Sequence, residues 1–145
     1  MLWNLYLRGG VVYVPTVAET EAGFFLDIEP VELAPVTDTE AVRRAVKYAF
    51  DRGNPKIPTP IRATFPKPVV LKYAKLKSWS AFERGCTNWT IVETNGSYQI
   101  KQGRKLADRG WEDDPAQIEI LPSGIRVDEV VSRVAASVQS AVSKK

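Results

Sequence analysis

The side chains in this chain that offer chemistry by type and spacing are its charged residues, which fall into two blocks. The first block is acidic, because no lysine or arginine occurs between Gly9 and Val42 while seven acids do. An acidic surface docks a basic protein partner, since complementary potential speeds encounter and disfavours wrong partners. The alternative interpretation is edge-strand protection and helix N-terminal charge. The predicted partner-contact residues are Glu19, Glu21, Asp27, Glu29 and Glu32.

The second block is basic and lies between Arg43 and Arg109, where fifteen lysines and arginines stand against four acids. Cations interspersed with aromatic rings bind the phosphates and bases of single-stranded nucleic acid, which makes the segment 67–109 a candidate for that role. The other interpretation is a solvated surface whose lysine stems lie over apolar neighbours, and no RNA-binding motif accompanies the cations. The candidate nucleic-acid-binding residues are Lys72, Lys75, Lys77, Trp79 and Arg84.

Covalent and metal chemistry have few candidate residues. The chain has no histidine, which excludes Ser-His-Asp and Cys-His catalysis and removes the commonest zinc ligand. Cys86 is the single cysteine, so no internal disulfide forms, and we expect it to pack as a small apolar residue. The run Glu112–Asp114 offers oxygen ligands, but it lacks the spacing of an EF-hand and precedes a proline, which favours a polar turn. We therefore expect a non-enzymatic protein with no catalytic residue, cofactor or metal site.

The acidic block lies on a predicted β-meander. Segments 2–7 and 11–17 are rich in aromatic and β-branched residues and flank a Gly-Gly pair suited to a tight hairpin turn. Segment 24–33 alternates apolar and acidic residues from Leu26 onward, so that Asp27 and Glu29 share the face opposite Leu26 and Ile28. Pro30 lacks a backbone donor and favours an edge position for this strand or a break within it.

A helix is predicted over 37–53, after the meander. Thr37 or Asp38 is suited to the N-cap, apolar residues recur at helical spacing, and Gly53 provides the stop. The next fifteen residues contain five of the ten prolines and are therefore expected to form a long extended connector rather than a helix or a central strand.

The basic block continues with a predicted strand at 69–74, whose alternate residues share an apolar face. Ser78 or Ser80 then caps a short helix over 80–84, and Ser80 with Glu83 has the spacing of a capping box. We expect Trp79 and Phe82 to point inward.

The clearest local signal is Asn95-Gly96, the preferred pair for a two-residue type I′ turn, between two alternating strands. A loop through residues 103–115 leads to a strand at 116–121. The C-terminal helix begins near Val127 and carries valines at helical spacing.

The length of 145 residues suits a single domain over 1–145. The order of elements predicts an α+β fold with a mostly antiparallel sheet of about six strands and two main helices packed on one face. No apolar run approaches the roughly 18 residues of a membrane span, and the N-terminus does not look like a secretory signal. We therefore expect a cytoplasmic protein that does not associate with membranes.

Four stretches of the chain carry a resemblance to a known class: LWNLYLRGGVVYVPT, PKPVVLKYAKLKSWSAFERG, GSYQI and the valine-rich terminal helix. Together they resemble small bacterial immunity proteins of contact-dependent growth inhibition and related polymorphic toxin systems. The resemblance implies a non-enzymatic cytosolic protein that binds one cognate toxin domain, often a nuclease, and blocks it. The class shares no catalytic motif, so no residue role is carried over. The net charge of +3 departs from the negative charge common in inhibitors of nucleic-acid-cleaving toxins.

Overall fold

Residues 1–143 are described by the computed structural model, in which seven strands form one sheet. The strands are β1 (Leu2–Arg8), β2 (Val11–Thr20), β3 (Phe25–Pro35), β4 (Lys56–Ile57), β5 (Cys86–Thr94), β6 (Ser97–Lys105) and β7 (Trp111–Leu121). The helices are α1 (Thr39–Arg52), α2 (Val70–Ala74), α3 (Trp79–Glu83) and α4 (Val127–Ser143), with a single 3₁₀ turn at Arg62–Thr64.

The six long strands run in the order β3-β2-β1-β5-β6-β7 and pair antiparallel throughout. Strand β4 adds a short parallel pair beside the end of β2. The predicted α+β class with a mostly antiparallel sheet is confirmed. Strand β3 lies at one edge, as its proline indicated, and β7 forms the other edge.

The main core lies between one face of the sheet and helices α1 and α4. Alternate residues of the central strands point to this face, and the apolar stripes of both helices pack against them. The two main helices therefore share one face, as predicted. The fully buried residues of this main core include Leu5, Val12, Val14, Trp89, Ile91, Val42, Val46, Val130, Val134 and Val138.

A smaller core covers the opposite face, where α2 and α3 pack on the meander. Phe82 of α3 is completely buried and contacts the rings of Tyr6 and Tyr13 on the neighbouring strands. Val70 and Leu71 of α2 bury their side chains in the same cluster. The sheet is thus covered on both faces of its N-terminal half.

The strand predicted at 69–74 is wrong, because this segment forms helix α2. The segment has only six residues, and an apolar pattern of that length does not distinguish a strand from one or two helical turns. The adjacent residues Val70 and Leu71 are both buried, whereas in a half-buried strand they would point to opposite faces and one would be exposed.

The loop predicted at 103–115 is also largely wrong, because β6 extends to Lys105 and β7 begins at Trp111. The acids of this segment pair across the strands, with Glu112 beside Arg104 and Asp113 beside Lys101. A proline and charged side chains are tolerated here because β7 is an edge strand with a register shift opposite Lys101–Gly103.

The turn predicted at Asn95-Gly96 and the helix cap predicted at Asp38 are confirmed. Asn95 and Gly96 both have positive φ, at 52° and 82°, as a type I′ turn requires. Asp38 caps α1 by accepting a hydrogen bond from the Ala41 N–H at 3.1 Å. Helix α3 is capped by Ser78, whereas the capping box of Ser80 does not form.

The predicted extended connector is anchored to the sheet by its first residue. The Asn54 side-chain amide donates to the carbonyls of Leu2 and Val17 at 2.8 and 2.9 Å, and its oxygen accepts from the Leu2 N–H. The rest of the connector is extended apart from β4 and the 3₁₀ turn.

Candidate functional site

The acidic residues predicted as partner contacts lie at the end of β2, in the β2–β3 turn and on the edge strand β3, and three of them form ion pairs within the chain. Glu19 lies 2.7 Å from the ammonium of Lys56. Glu32 lies 2.7 Å from the guanidinium of Arg52, and Glu29 pairs with Lys72. These pairs bring the two charge blocks together in space and compensate three of the seven acids of the acidic block.

Glu29 also accepts a hydrogen bond from the Tyr73 hydroxyl. The Lys72 ammonium and then the Tyr73 hydroxyl lower the pKa of the Glu29 carboxyl, and the Lys72 pKa rises in return. This cluster ties α2 to β3 across the surface of the molecule.

Asp27 is the fourth predicted contact, and its carboxylate points toward β1 rather than to solvent. It accepts hydrogen bonds from the Asn4 amide at 2.8 Å and from the Tyr6 hydroxyl at 2.7 Å. Burial raises the Asp27 pKa, and the two hydrogen bonds offset part of that effect. Burial and the neighbouring carboxylate raise the Tyr6 pKa well above its ordinary value. Asp27, Asn4 and Tyr6 therefore form a hydrogen-bonded polar cluster within the protein.

Glu21, the fifth predicted contact, lies in the β2–β3 turn and is exposed, with no ion pair among residues 1–143. The turn also exposes Phe24 and Phe25, and the Phe24 ring stacks on Phe65 of the connector with ring centroids 6.4 Å apart. A hydrogen bond from the Ala22 N–H to the Thr59 hydroxyl holds the turn against the connector.

We call the exposed apolar residues of the β2–β3 turn and of the connector that meets it the turn patch, defined as Phe24, Phe25, Ile61 and Phe65, of which Phe24 and Phe65 are in ring contact. Ile61 is 65% exposed and Phe65 is 53% exposed. Large apolar side chains grouped on a surface mark protein–protein contacts, and aromatic residues are enriched there. Sequence reasoning missed this site because two of its members lie in a segment interpreted only as a connector.

The predicted nucleic-acid-binding residues lie on α2, α3 and the turn between them. Lys72 is committed to Glu29, while Lys75, Lys77 and Arg84 are exposed and form no ion pair within the described chain. Trp79 stacks on Phe82 at 5.3 Å and meets Tyr6 edge-on at 5.8 Å.

The Trp79 ring also meets Trp111 edge-on at 5.9 Å. It is therefore surrounded by other rings and half-buried, as its predicted inward orientation required. A ring held in this way has little free face for stacking on a base.

A groove opens between α2 and the edge strand, with a volume of about 620 Å³. We call it the α2 groove. Its apolar residues are Pro68, Val69, Leu71 and Leu76, and its charged residues are Glu29, Lys67, Lys72 and Lys77.

A second cavity, of about 580 Å³, lies between α3 and the β6–β7 turn. Glu83 is buried in its wall, accepts a hydrogen bond from the Gly110 N–H at 2.9 Å and pairs with Lys105 at 3.4 Å. Burial opposes ionisation of Glu83, but the Gly110 N–H and Lys105 outweigh it and lower the pKa of the carboxyl. Glu83 thus holds the β6–β7 turn against α3.

The acids Glu112–Asp114 do not converge on one point. Two pair with cations on β6, and Asp114 accepts from the Ala116 N–H at 3.0 Å. Within residues 1–143 no three acidic or cysteine side chains are arranged to hold a metal ion. In the same range, every helix is too short or too polar to cross a membrane.

These features define a small α+β protein with an exposed apolar patch and a groove on its β3–α2 side. No protein-family model matches the chain, and no curated protein matches its sequence. Among solved structures, a protein of unknown function from Neisseria meningitidis, NMB0488, superposes with a TM-score of 0.67 at 15% identity, over 97% of this chain and 93% of that one.

A chain of the CdiA-CT/CdiI toxin and immunity complex from Yersinia pseudotuberculosis superposes with a TM-score of 0.62 at 13% identity. The match covers 99% of this chain and 95% of that chain. At these identities the two likenesses show a shared fold, which extends over nearly the whole of each chain.

Proposed function

We propose that this protein is a non-enzymatic, cytosolic immunity protein that binds and neutralises a cognate toxin domain. The observation that carries the proposal is the shared fold, along nearly the full length, with a chain of a toxin and immunity complex. The surface features agree with a binding role, because the exposed turn patch and the α2 groove are both suited to a protein partner.

The toxin contact is proposed to include the acidic edge of β2 and β3. Glu21 is the member best suited to it, since its carboxylate has no internal ion pair within residues 1–143. Glu19 and Glu32 must exchange a partner within the chain for one on the toxin, and Asp27 must leave its hydrogen bonds to β1. Glu29 keeps its pair with Lys72 and lies at the border of the contact. An acidic contact beside exposed phenylalanines fits a toxin with a basic face, such as the substrate-binding face of a nuclease.

The test is co-expression with the C-terminal domain encoded by the gene immediately upstream. We expect a complex with nanomolar affinity, on the order of −12 kcal/mol, and growth protection of cells that produce the domain. Glu21→Lys is expected to weaken the complex about tenfold at low salt, because it places a cation against a basic face. Asp108→Lys, the same change on the exposed β6–β7 turn at the other edge of the sheet, is the matched control. The absence of both complex and protection refutes the proposal.

The alternative function is single-stranded nucleic-acid binding by the basic segment 67–109. Its support is the set of exposed cations with no ion pair in the described chain, including Lys75, Lys77 and Arg84. Against it stands the internal packing of Trp79, which removes the principal stacking ring. Titration with a labelled oligonucleotide at several salt concentrations decides the matter, since phosphate binding must weaken steeply with salt.

A further inference from the structure

The walls of the α2 groove are held in place by contacts of α2 with the smaller core and with β3. Val70 and Leu71 anchor α2 in the smaller core, and the Leu76 N–H returns to the Leu71 carbonyl at 3.0 Å. The bonds of Glu29 to Lys72 and Tyr73 join the helix to β3. A groove held by these contacts loses little conformational entropy when it is filled.

The α2 groove carries a net positive charge that comes from two of its lysines. Glu29 neutralises Lys72 on one wall, so the remaining net charge comes from Lys67 and Lys77. Both are exposed, and neither has an ion pair in the part of the chain that the structure describes. The two cations are placed to meet anions on an incoming partner.

The surface between these cations is aliphatic. Val69 and Leu76 are only half-buried, so part of each side chain contacts water until something covers it. Among residues 1–143 no aromatic ring lines the groove, and the hydroxyl of neighbouring Tyr73 is hydrogen-bonded to Glu29. An aliphatic floor favours an aliphatic side chain, whereas single-stranded nucleic acid is held by stacking on aromatic rings.

We propose that the α2 groove binds an acidic segment of the toxin, in which an aliphatic side chain fills the space over Val69 and Leu76 and flanking carboxylates pair with Lys67 and Lys77. This inference rests on the proposed function and adds a second contact of opposite charge to the acidic edge. The two contacts together use the blockwise distribution of charge along the chain, which fixes the orientation of the partner through complementary and repulsive pairs.

The test measures binding of the upstream-encoded toxin domain to the wild-type protein and to Lys67→Glu/Lys77→Glu. Both substitutions are at exposed positions, so the urea midpoint should not change. We expect the affinity to fall at least about tenfold at low salt, with a smaller loss at high salt, where exposed charges are screened. Lys67→Arg/Lys77→Arg keeps the charges and should retain affinity.

The matched control is Arg44→Glu/Arg126→Glu, which makes the same change in net charge at exposed positions on α1 and beside α4. If this control weakens the complex as much as the groove variant does, the effect is one of overall charge and the groove assignment is wrong. If the wild type binds the toxin domain and the groove variant binds equally well, the groove is not a contact, while the proposed immunity function stands.

Two other outcomes also overturn the inference. Failure of the wild-type protein to bind the toxin domain removes both the function and the groove contact. Binding of a single-stranded oligonucleotide that is lost in Lys67→Glu/Lys77→Glu but kept in Arg44→Glu/Arg126→Glu assigns the groove to nucleic acid.

Discussion

Truncation of Phe82 should release the α2–α3 layer from the sheet and identify it as part of the cooperative fold. The ring is fully buried and lies with its centroid 5.6, 5.5 and 5.3 Å from those of Tyr6, Tyr13 and Trp79. Each aromatic pair contributes about 0.5–1.5 kcal/mol beyond the area it buries. Together with the cavity left behind, Phe82→Ala should lower the free energy of unfolding by about 3–5 kcal/mol.

The matched control is Phe65→Ala, the same chemical change at a ring that is 53% exposed and makes one aromatic contact, with Phe24. Its expected cost is below about 1 kcal/mol. In urea, where small domains have slopes of about 1–3 kcal/mol per molar, Phe82→Ala should lower the midpoint by about 2 M. Chemical denaturation followed by tryptophan fluorescence measures both variants.

The Phe82 reasoning is refuted if the two variants have equal midpoints. That result would mean that α3 contributes no more to stability than an exposed loop does. A loss confined to hydrogen-exchange protection of α2 and α3, with the global midpoint unchanged, would show that the layer opens separately from the sheet.

Two further variants test the internal packing on the same side of the sheet. Gly103→Ala should cost about 1–3 kcal/mol, because the new Cβ would lie 2.0 Å from the Asn88 side-chain oxygen and 3.0 Å from the Trp111 Cβ. Asn88→Ala in the same chain should recover the part of the loss that comes from the Asn88 side chain. Equal midpoints for wild type and Gly103→Ala contradict the close approach. Since burial raises the Asp27 pKa, this residue favours the folded state below the ordinary carboxyl value of about 4, and that contribution is lost as pH rises through the raised folded pKa. Asp27→Asn should therefore gain stability relative to wild type between about pH 3.5 and pH 7 in urea unfolding, and a constant difference across that range would be inconsistent with the raised pKa.

Much of the fold could be predicted because its signals are local. Asn95-Gly96 dictates its hairpin turn, since both residues tolerate positive φ, and the capping aspartate and the apolar stripe of α1 are visible within one stretch of chain. The edge position of β3 followed from Pro30. The predictions were wrong for segments 69–74 and 103–115. In both, a short local pattern was overridden by tertiary contacts, with the smaller core in the first case and between β6 and β7 in the second.

The site was less predictable than the fold. The sequence showed the two charge blocks, but exposed apolar residues such as Phe24 and Phe65 are separated by forty residues and only stack once the turn and the connector meet. The α2 groove was hidden for a related reason, because the segment that forms it was interpreted as a strand.

The sequence by itself determined the absence of histidine chemistry, the α+β class, the two long helices and the opposed blocks of charge. The tertiary structure decided which charges remain available to a partner. Glu29 meets Lys72 only because α2 packs against β3, and Glu32 meets Arg52 only because α1 returns along the same strand. Ion pairs act over a few ångströms, and residues twenty to forty positions apart come that close only through the packing of whole elements.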